Sequence, residues 1–140
     1  MPSTFVTKSF SFSAAHKYGH KDWTEEKNEE IFGPDAKLHG HNYTLEVTVT
    51  GEINPDTGFI VDLGHLKEVV NEKIVNRIDH SHFEKKIDWF KDKQPSSENL
   101  TKFIWGEIES LLEGCRLHRV RLKETDTIYT DYYGPAGCCK

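Results

Sequence analysis

His39-Gly40-His41 can present two imidazoles from one side of an extended chain, because residues i and i+2 of a strand share a face. Gly40 keeps the surface between them clear. His16 has matching strand parity, although residues 17–38 separate it from the pair. If the strands carrying them pair antiparallel, the end of the first lies beside the start of the second and the three rings converge. Three imidazoles with an open fourth position describe a catalytic zinc site, since the vacancy accepts water or a substrate oxygen. Zn2+ is therefore the expected metal. His20, His65, His82 and His118 have no comparable partner spacing and are expected to be structural or solvated.

Two further groups could do chemistry. Glu124 shares the parity of the apolar residues Val120 and Leu122, and a carboxylate on that face is costly unless paired. It either meets a donor-rich ligand or reaches solvent at the strand end. Asp79-His80 could orient an imidazole for proton transfer, although a helix-terminal cap is the ordinary reading of that dipeptide.

The positioning elements follow from periodicity. Thr4 to Ala14 alternate as a strand with Phe10, Phe12 and Ala14 on one face, and His16 continues that face. Residues 17–38 are a polar excursion with room for a short helix around Glu25, Glu26, Glu29 and Glu30. Tyr43 to Gly51 predict a half-buried strand, and Asn54 to Gly58 a turn. Asp62 can cap a helix carrying Leu63, Leu66, Val70 and Ile74 and ending near Ile78. Pro95-Ser96-Ser97 opens a second helix, with Leu100, Phe103, Ile104, Ile108, Leu111 and Leu112 on one stripe and Gly114 as its stop. Leu117 to Glu124 and Ile128 to Tyr133 predict two more strands. The order gives an α+β domain, a four-stranded antiparallel sheet with two helices on one face.

A length of 140 residues suits a single domain, 1–140. A net charge of -5 without a Lys/Arg cluster excludes a nucleic-acid surface. No apolar run approaches a membrane span, and the start Met1-Pro2-Ser3-Thr4 lacks a secretory pattern, so a cytoplasmic location is expected. Cys115, Cys138 and Cys139 are too few and too terminal for a disulfide framework, and the last two read as exposed thiols.

With these residues placed, the sequence resembles the 6-pyruvoyl-tetrahydropterin synthase family, which includes the 6-carboxytetrahydropterin synthases of queuosine biosynthesis. The resemblance rests on Phe12-Ser13-Ala14-Ala15-His16, Phe32-Gly33-Pro34, His39-Gly40-His41-Asn42-Tyr43, Thr57-Gly58-Phe59-Ile60-Val61-Asp62, Asp79-His80, Pro95-Ser96-Ser97-Glu98-Asn99-Leu100 and Lys123-Glu124-Thr125. It implies the tunnelling fold, assembled as trimers that stack into a homohexamer with active sites between protomers. It also implies that His16, His39 and His41 hold zinc, and that Glu124 anchors the guanidine-like edge of a pterin. Ser96, Ser97 and Glu98 then line the pterin pocket, and Asp79 and His80 form a proton relay.

One position departs from the pattern. The pyruvoyl-forming and carboxy-forming members carry a catalytic cysteine shortly before His-Gly-His, where this chain has Asp35. A thiol and a carboxylic acid differ by about four to five pKa units, so the two are not equivalent bases. A branch of the family uses glutamate near this motif and cleaves the side chain of 7,8-dihydroneopterin triphosphate to 6-hydroxymethyl-dihydropterin. Asp35 resembles that arrangement in charge and is one methylene shorter. The resemblance thus implies a lyase acting on 7,8-dihydroneopterin triphosphate. Side-chain cleavage, the pyruvoyl reaction, the queuosine-pathway 6-carboxy product and pterin binding without catalysis all remain open.

Overall fold

The computed structural model describes residues 4–135; Cys138 and Cys139 lie outside the described residues. The chain runs β1 (Phe5–His16), α1 (Glu25–Phe32), β2 (His39–Thr50), α2 (Leu63–Val70), α3 (Asn76–Ile78), β3 (Ser81–His82), α4 (Phe83–Lys86), α5 (Ser97–Ile108), β4 (Arg116–Lys123) and β5 (Tyr129–Tyr132). The sheet has five strands in the order β3-β1-β2-β4-β5. The expected four antiparallel strands are present, and the correction is β3. It contributes two residues, Ser81 and His82, that pair parallel with Ala14 and Ala15 on the open edge of β1. Nothing in so short a segment has a period to read, and only the docking of the preceding helix brings it to that edge.

Alternation along the strands decides which face is covered. Phe10, Phe12, Tyr43, Leu45, Val47, Leu117, Val120 and Leu122 share one buried cluster with Leu66, Val70, Ile74, Ile78, Leu100, Phe103, Ile104 and Ile108 from the helices. Ser9, Ser11, Thr44, Glu46, Arg119 and Arg121 point the other way and keep some exposure. That face is tied by ion pairs: Arg121 Nε donates to Asp131 Oδ1 at 2.7 Å, and Arg119 approaches Glu46 at 3.5 Å. All helices that contribute to the core do so from one side, as expected from the order of elements.

Caps account for where the main helices begin. The Asp62 carboxylate accepts from the backbone N–H of Gly64 at 2.9 Å, and helical structure continues through a π turn (Asn71–Val75) to Ile78. Ser96 Oγ accepts from Asn99 N at 3.1 Å and starts α5. Thr24 caps α1, the helix allowed for in the excursion, through Lys27 N at 3.1 Å. A 3₁₀ turn over Gly33–Ala36 then delivers the chain to β2. Among the described residues, no helix is long and apolar enough to cross a membrane.

Candidate metal and ligand site

The register of β1 with β2 builds the site. His16 pairs with His39 and Ala14 with His41, so the end of one strand lies beside the start of the next. Strand β2 begins at His39 instead of Tyr43, which puts both of its histidines on regular backbone. Gly40 sits opposite Ala15, and a Cβ there would come within 3.1 Å of the Ala14 carbonyl oxygen. The glycine therefore permits close approach of the two strands as well as keeping the face clear.

The ligand nitrogens of His16, His39 and His41 lie within 4.8 Å of one another. Their ring centroids are 4.5 Å (His16 to His39), 5.1 Å (His16 to His41) and 5.1 Å (His39 to His41) apart. Two of the rings are held by backbone carbonyls. His16 Nδ1 lies 2.7 Å from the Pro95 oxygen and His39 Nδ1 lies 2.7 Å from the Lys37 oxygen. A carbonyl only accepts, so each Nδ1 carries the proton and each Nε2 keeps its lone pair free. The Nε2 atoms of His16 and His41 are buried without a protein partner. Buried polar atoms are seldom left unpaired, so converging unpaired imidazole lone pairs fit a metal cation.

His16 is fully buried, at the end of the apolar face of β1 that it continues. Burial lowers its pKa, the Pro95 hydrogen bond opposes that shift, and the neighbouring imidazoles add to the lowering. The neutral, ligating form is thereby favoured.

Glu124, just past the end of β4, is side-chain neighbour to the cluster. Its Oε1 is 3.8 Å from His41 Nε2 and accepts from Ser97 Oγ at 3.2 Å. Asp35 stands on the other flank, in the 3₁₀ turn, with Oδ1 3.7 Å from His39 Nε2 and its side chain 61% exposed. Ser97 thus meets Glu124 directly, Ser96 is occupied as the cap of α5, and Glu98 is exposed in the first turn of that helix.

Asp79 and His80 lie on the open edge of β1. Asp79 Oδ1 accepts from Ser13 N at 2.8 Å and sits 3.0 Å from His80 Nδ1. The Ser13 N–H, with help from the imidazole, holds the Asp79 carboxyl below its ordinary pKa. His80 has a left-handed φ of 60°, and its side chain is 82% exposed. A non-glycine residue held there is strained, a cost that recurs at functional positions. His80 is not one of the three converging imidazoles; it lines an open groove with Ala14, Ala15, Gly40, His41 and Asn42.

The remaining histidines take structural roles. His82 pairs with Glu84 at 2.6 Å, His65 Nε2 lies 3.0 Å from the Leu111 oxygen, and His20 and His118 pack on Trp23 and Phe5. Sequence reasoning missed two phenols. Tyr43 is fully buried with an unpartnered hydroxyl, and its ring is 5.5 Å from that of His41. Tyr18 lies 5.2 Å from His16 and is nearly parallel to His39 at 6.5 Å. Burial, then the surrounding carboxylates led by Glu124, pushes both phenols above their ordinary pKa. Extending the β1 parity by two residues past His16 would have pointed to Tyr18.

Residues 5–135 match the family described as 6-pyruvoyl tetrahydropterin synthase. The human 6-pyruvoyl tetrahydrobiopterin synthase is 35% identical over 131 residues, covering 92% of this chain and 90% of the relative. An Archaeoglobus fulgidus protein named as a candidate 6-carboxy-5,6,7,8-tetrahydropterin synthase is 34% identical over 119 residues, covering 84% of this chain and 85% of the relative. The Caenorhabditis elegans 6-pyruvoyl tetrahydropterin synthase structure superposes with a TM-score of 0.85 at 29% identity, covering 96% of this chain and 99% of that one. A Plasmodium vivax 6-pyruvoyltetrahydropterin synthase shares the fold with a TM-score of 0.65 at 17% identity, covering 94% of this chain and 99% of that one. That structure is of a variant in which a catalytic glutamate is replaced by alanine. The chain belongs to the 6-pyruvoyl tetrahydropterin synthase family, whose members are enzymes of pterin metabolism.

Proposed function

We propose that this protein is a zinc-dependent lyase acting on 7,8-dihydroneopterin triphosphate or a close relative. The observation that carries the reading is the approach of Glu124 Oε1 to the unpaired His41 Nε2 at 3.8 Å, a carboxylate beside an imidazole cluster that a pterin with a hydroxylated side chain would bridge. His16, His39 and His41 would hold the ion. When bound, it supplies Lewis acidity that makes a substrate hydroxyl easier to deprotonate. Glu124 accepts two parallel N–H donors from the pterin edge, and Ser97 Oγ steadies that carboxylate. Ser96 fixes the start of α5, so that Ser97 and Glu98 line the pterin end of the site. Asp35 takes the proton from the hydroxyl on the outer carbon of the scissile bond, and a carbon-oxygen double bond forms there as the carbon-carbon bond breaks. The pterin ring accepts the electron pair and is reprotonated at the side-chain carbon, and the triphosphate-bearing fragment leaves as an aldehyde. The product is then 6-hydroxymethyl-dihydropterin. In the Plasmodium vivax enzyme of the same fold a glutamate is a catalytic residue, which supports a carboxylate base here.

Asp79 and His80 serve a site shared with a neighbouring protomer in this reading, His80 moving protons at a ring nitrogen while Asp79 orients it. Its support is the exposed imidazole on a sheet edge. The same edge, the four-residue β5 and exposed Phe59, Leu63, Ile128 and Tyr129 support assembly into trimers and hexamers. Sedimentation equilibrium at micromolar concentration is expected to give six times the chain mass of 16.2 kDa; a monomer would remove the shared-site reading.

Product analysis by mass spectrometry tests the function, using zinc-loaded protein with 7,8-dihydroneopterin triphosphate. A hydroxymethyl product supports cleavage, whereas a pyruvoyl product assigns the alternative lyase reaction. A carboxy product supports the second reading, which the Archaeoglobus relative's name favours. Binding without any product assigns a pterin-binding homologue. Independently, Glu124→Gln places a donor opposite a pterin donor and is expected to cost about 1–3 kcal/mol of pterin affinity, measured by calorimetry. Unchanged affinity would remove Glu124 from the pterin site.

A further inference from the structure

Four successive backbone N–H groups after His16 are each claimed by a different part of the chain. Lys17 N donates to Glu84 Oε2 at 3.0 Å, Tyr18 N to the Asp35 carbonyl at 3.0 Å, Gly19 N to Gln94 Oε1 at 3.1 Å and His20 N to Asn28 Oδ1 at 2.9 Å. Two of these contacts are reciprocated: Gln94 Nε2 donates to the Gly19 carbonyl at 3.0 Å, and Asn28 Nδ2 to the His20 carbonyl at 3.1 Å. Backbone groups without a ladder partner need such substitutes, and here they pin an irregular strap from several sides. What the strap carries over the histidine cluster is Tyr18.

The ring is held as firmly as the backbone. It stacks on Phe32 with centroids 5.6 Å apart and 25° between planes, and stands 5.2 Å from His16 and 6.5 Å from His39. Tyr18 also lines the open cleft between Gly19 and Pro95, and the carboxylates that bear most on its phenol are Glu124, Glu98 and Asp35, those around the histidine cluster. The groups nearest the cluster mostly accept, whereas the adjoining cleft also carries the ammonium groups of Lys17, Lys21 and Lys37. Asp35 and the imidazole Nε2 atoms accept or ligate, the His16 and His39 Nδ1 protons are committed to carbonyls, and the Ser97 hydroxyl is committed to Glu124. A ligand bearing several hydroxyls presents oxygens that also require a donor, and a phenol O–H supplies one.

We infer that Tyr18 is a specificity-determining residue that touches the substrate and donates to a hydroxyl of its polyol side chain. This rests on the pterin reading of the site, and the test separates the two. Zinc-loaded protein and its Tyr18→Phe variant are titrated with 7,8-dihydroneopterin, which carries side-chain hydroxyls, and with 6-methyl-7,8-dihydropterin, which has none. The wild type is expected to bind both and to prefer the hydroxylated compound. Tyr18→Phe is expected to keep its zinc and its affinity for the methyl compound, and to lose roughly three- to tenfold in affinity for the hydroxylated one. Equal affinities in variant and wild type, or an equal loss for both compounds, would overturn the role of Tyr18 while leaving the pterin reading intact. Failure of the wild type to bind either compound would overturn both.

Discussion

Replacing His39 with alanine is expected to reduce bound zinc from one ion per protomer to none, with the circular dichroism spectrum unchanged. His39 is the suitable member of the cluster for this experiment. Its side chain is 26% exposed, so its removal opens no closed cavity, whereas His16 is fully buried and packs within 5.7 Å of the Phe83 ring. His16→Ala is expected to remove the metal and destabilise the core together. Loss of a carbonyl or carboxylate that merely orients a ligand histidine costs about 10–100-fold in metal affinity. Deleting the ligand itself is expected to exceed that and to leave His16 and His41 as a weak pair. Metal analysis after dialysis against a mild chelator reads the result. Stoichiometric zinc retained by His39→Ala would show that the cluster is not the metal site.

Asp35→Asn is expected to lower kcat by about 100- to 10,000-fold, the usual contribution of a positioned proton acceptor, while zinc and pterin affinities stay within twofold or so. The amide keeps the size and polarity of the carboxylate and removes its basicity. Asp35 Oδ1 lies 3.7 Å from His39 Nε2, close enough to reach a group bound at the cluster directly or through one water. Its exposure, 61%, leaves it room to swing toward a bound substrate. Asp35→Cys provides the complementary measurement, because a thiol gives and takes protons near neutral pH far more readily than a carboxylic acid. That variant is expected to gain pyruvoyl-type product. Equal turnover and products for the native, Asn and Cys forms would eliminate Asp35 as a base and leave Asp79-His80 as the remaining candidate relay.

Much of this was legible in the sequence because period-2 alternation carries two facts at once. Phe10-Phe12-Ala14 and Tyr43-Leu45-Val47-Val49 identify the strands, and the same parity places His16, His39 and His41 on the covered face. Asp62 and Ser96 were legible as caps because few side chains can satisfy an unpaired helix N-terminus. Tertiary structure alone decided the rest. The register that sets His16 against His39 depends on how two whole strands settle, and no local signal specifies it. Neither the Pro95 and Lys37 carbonyls that fix the imidazole protons nor the complete burial of His16 follows from residue types, since each depends on which distant backbone arrives there. Strand β3 and the placement of Asp79-His80 likewise exist only because the helix before them docks against the edge of β1. The position of Tyr18 was hidden for the same reason: the strap that carries it has no periodicity of its own, and its shape is imposed by Asn28, Asp35, Glu84 and Gln94 from three separate stretches of the chain.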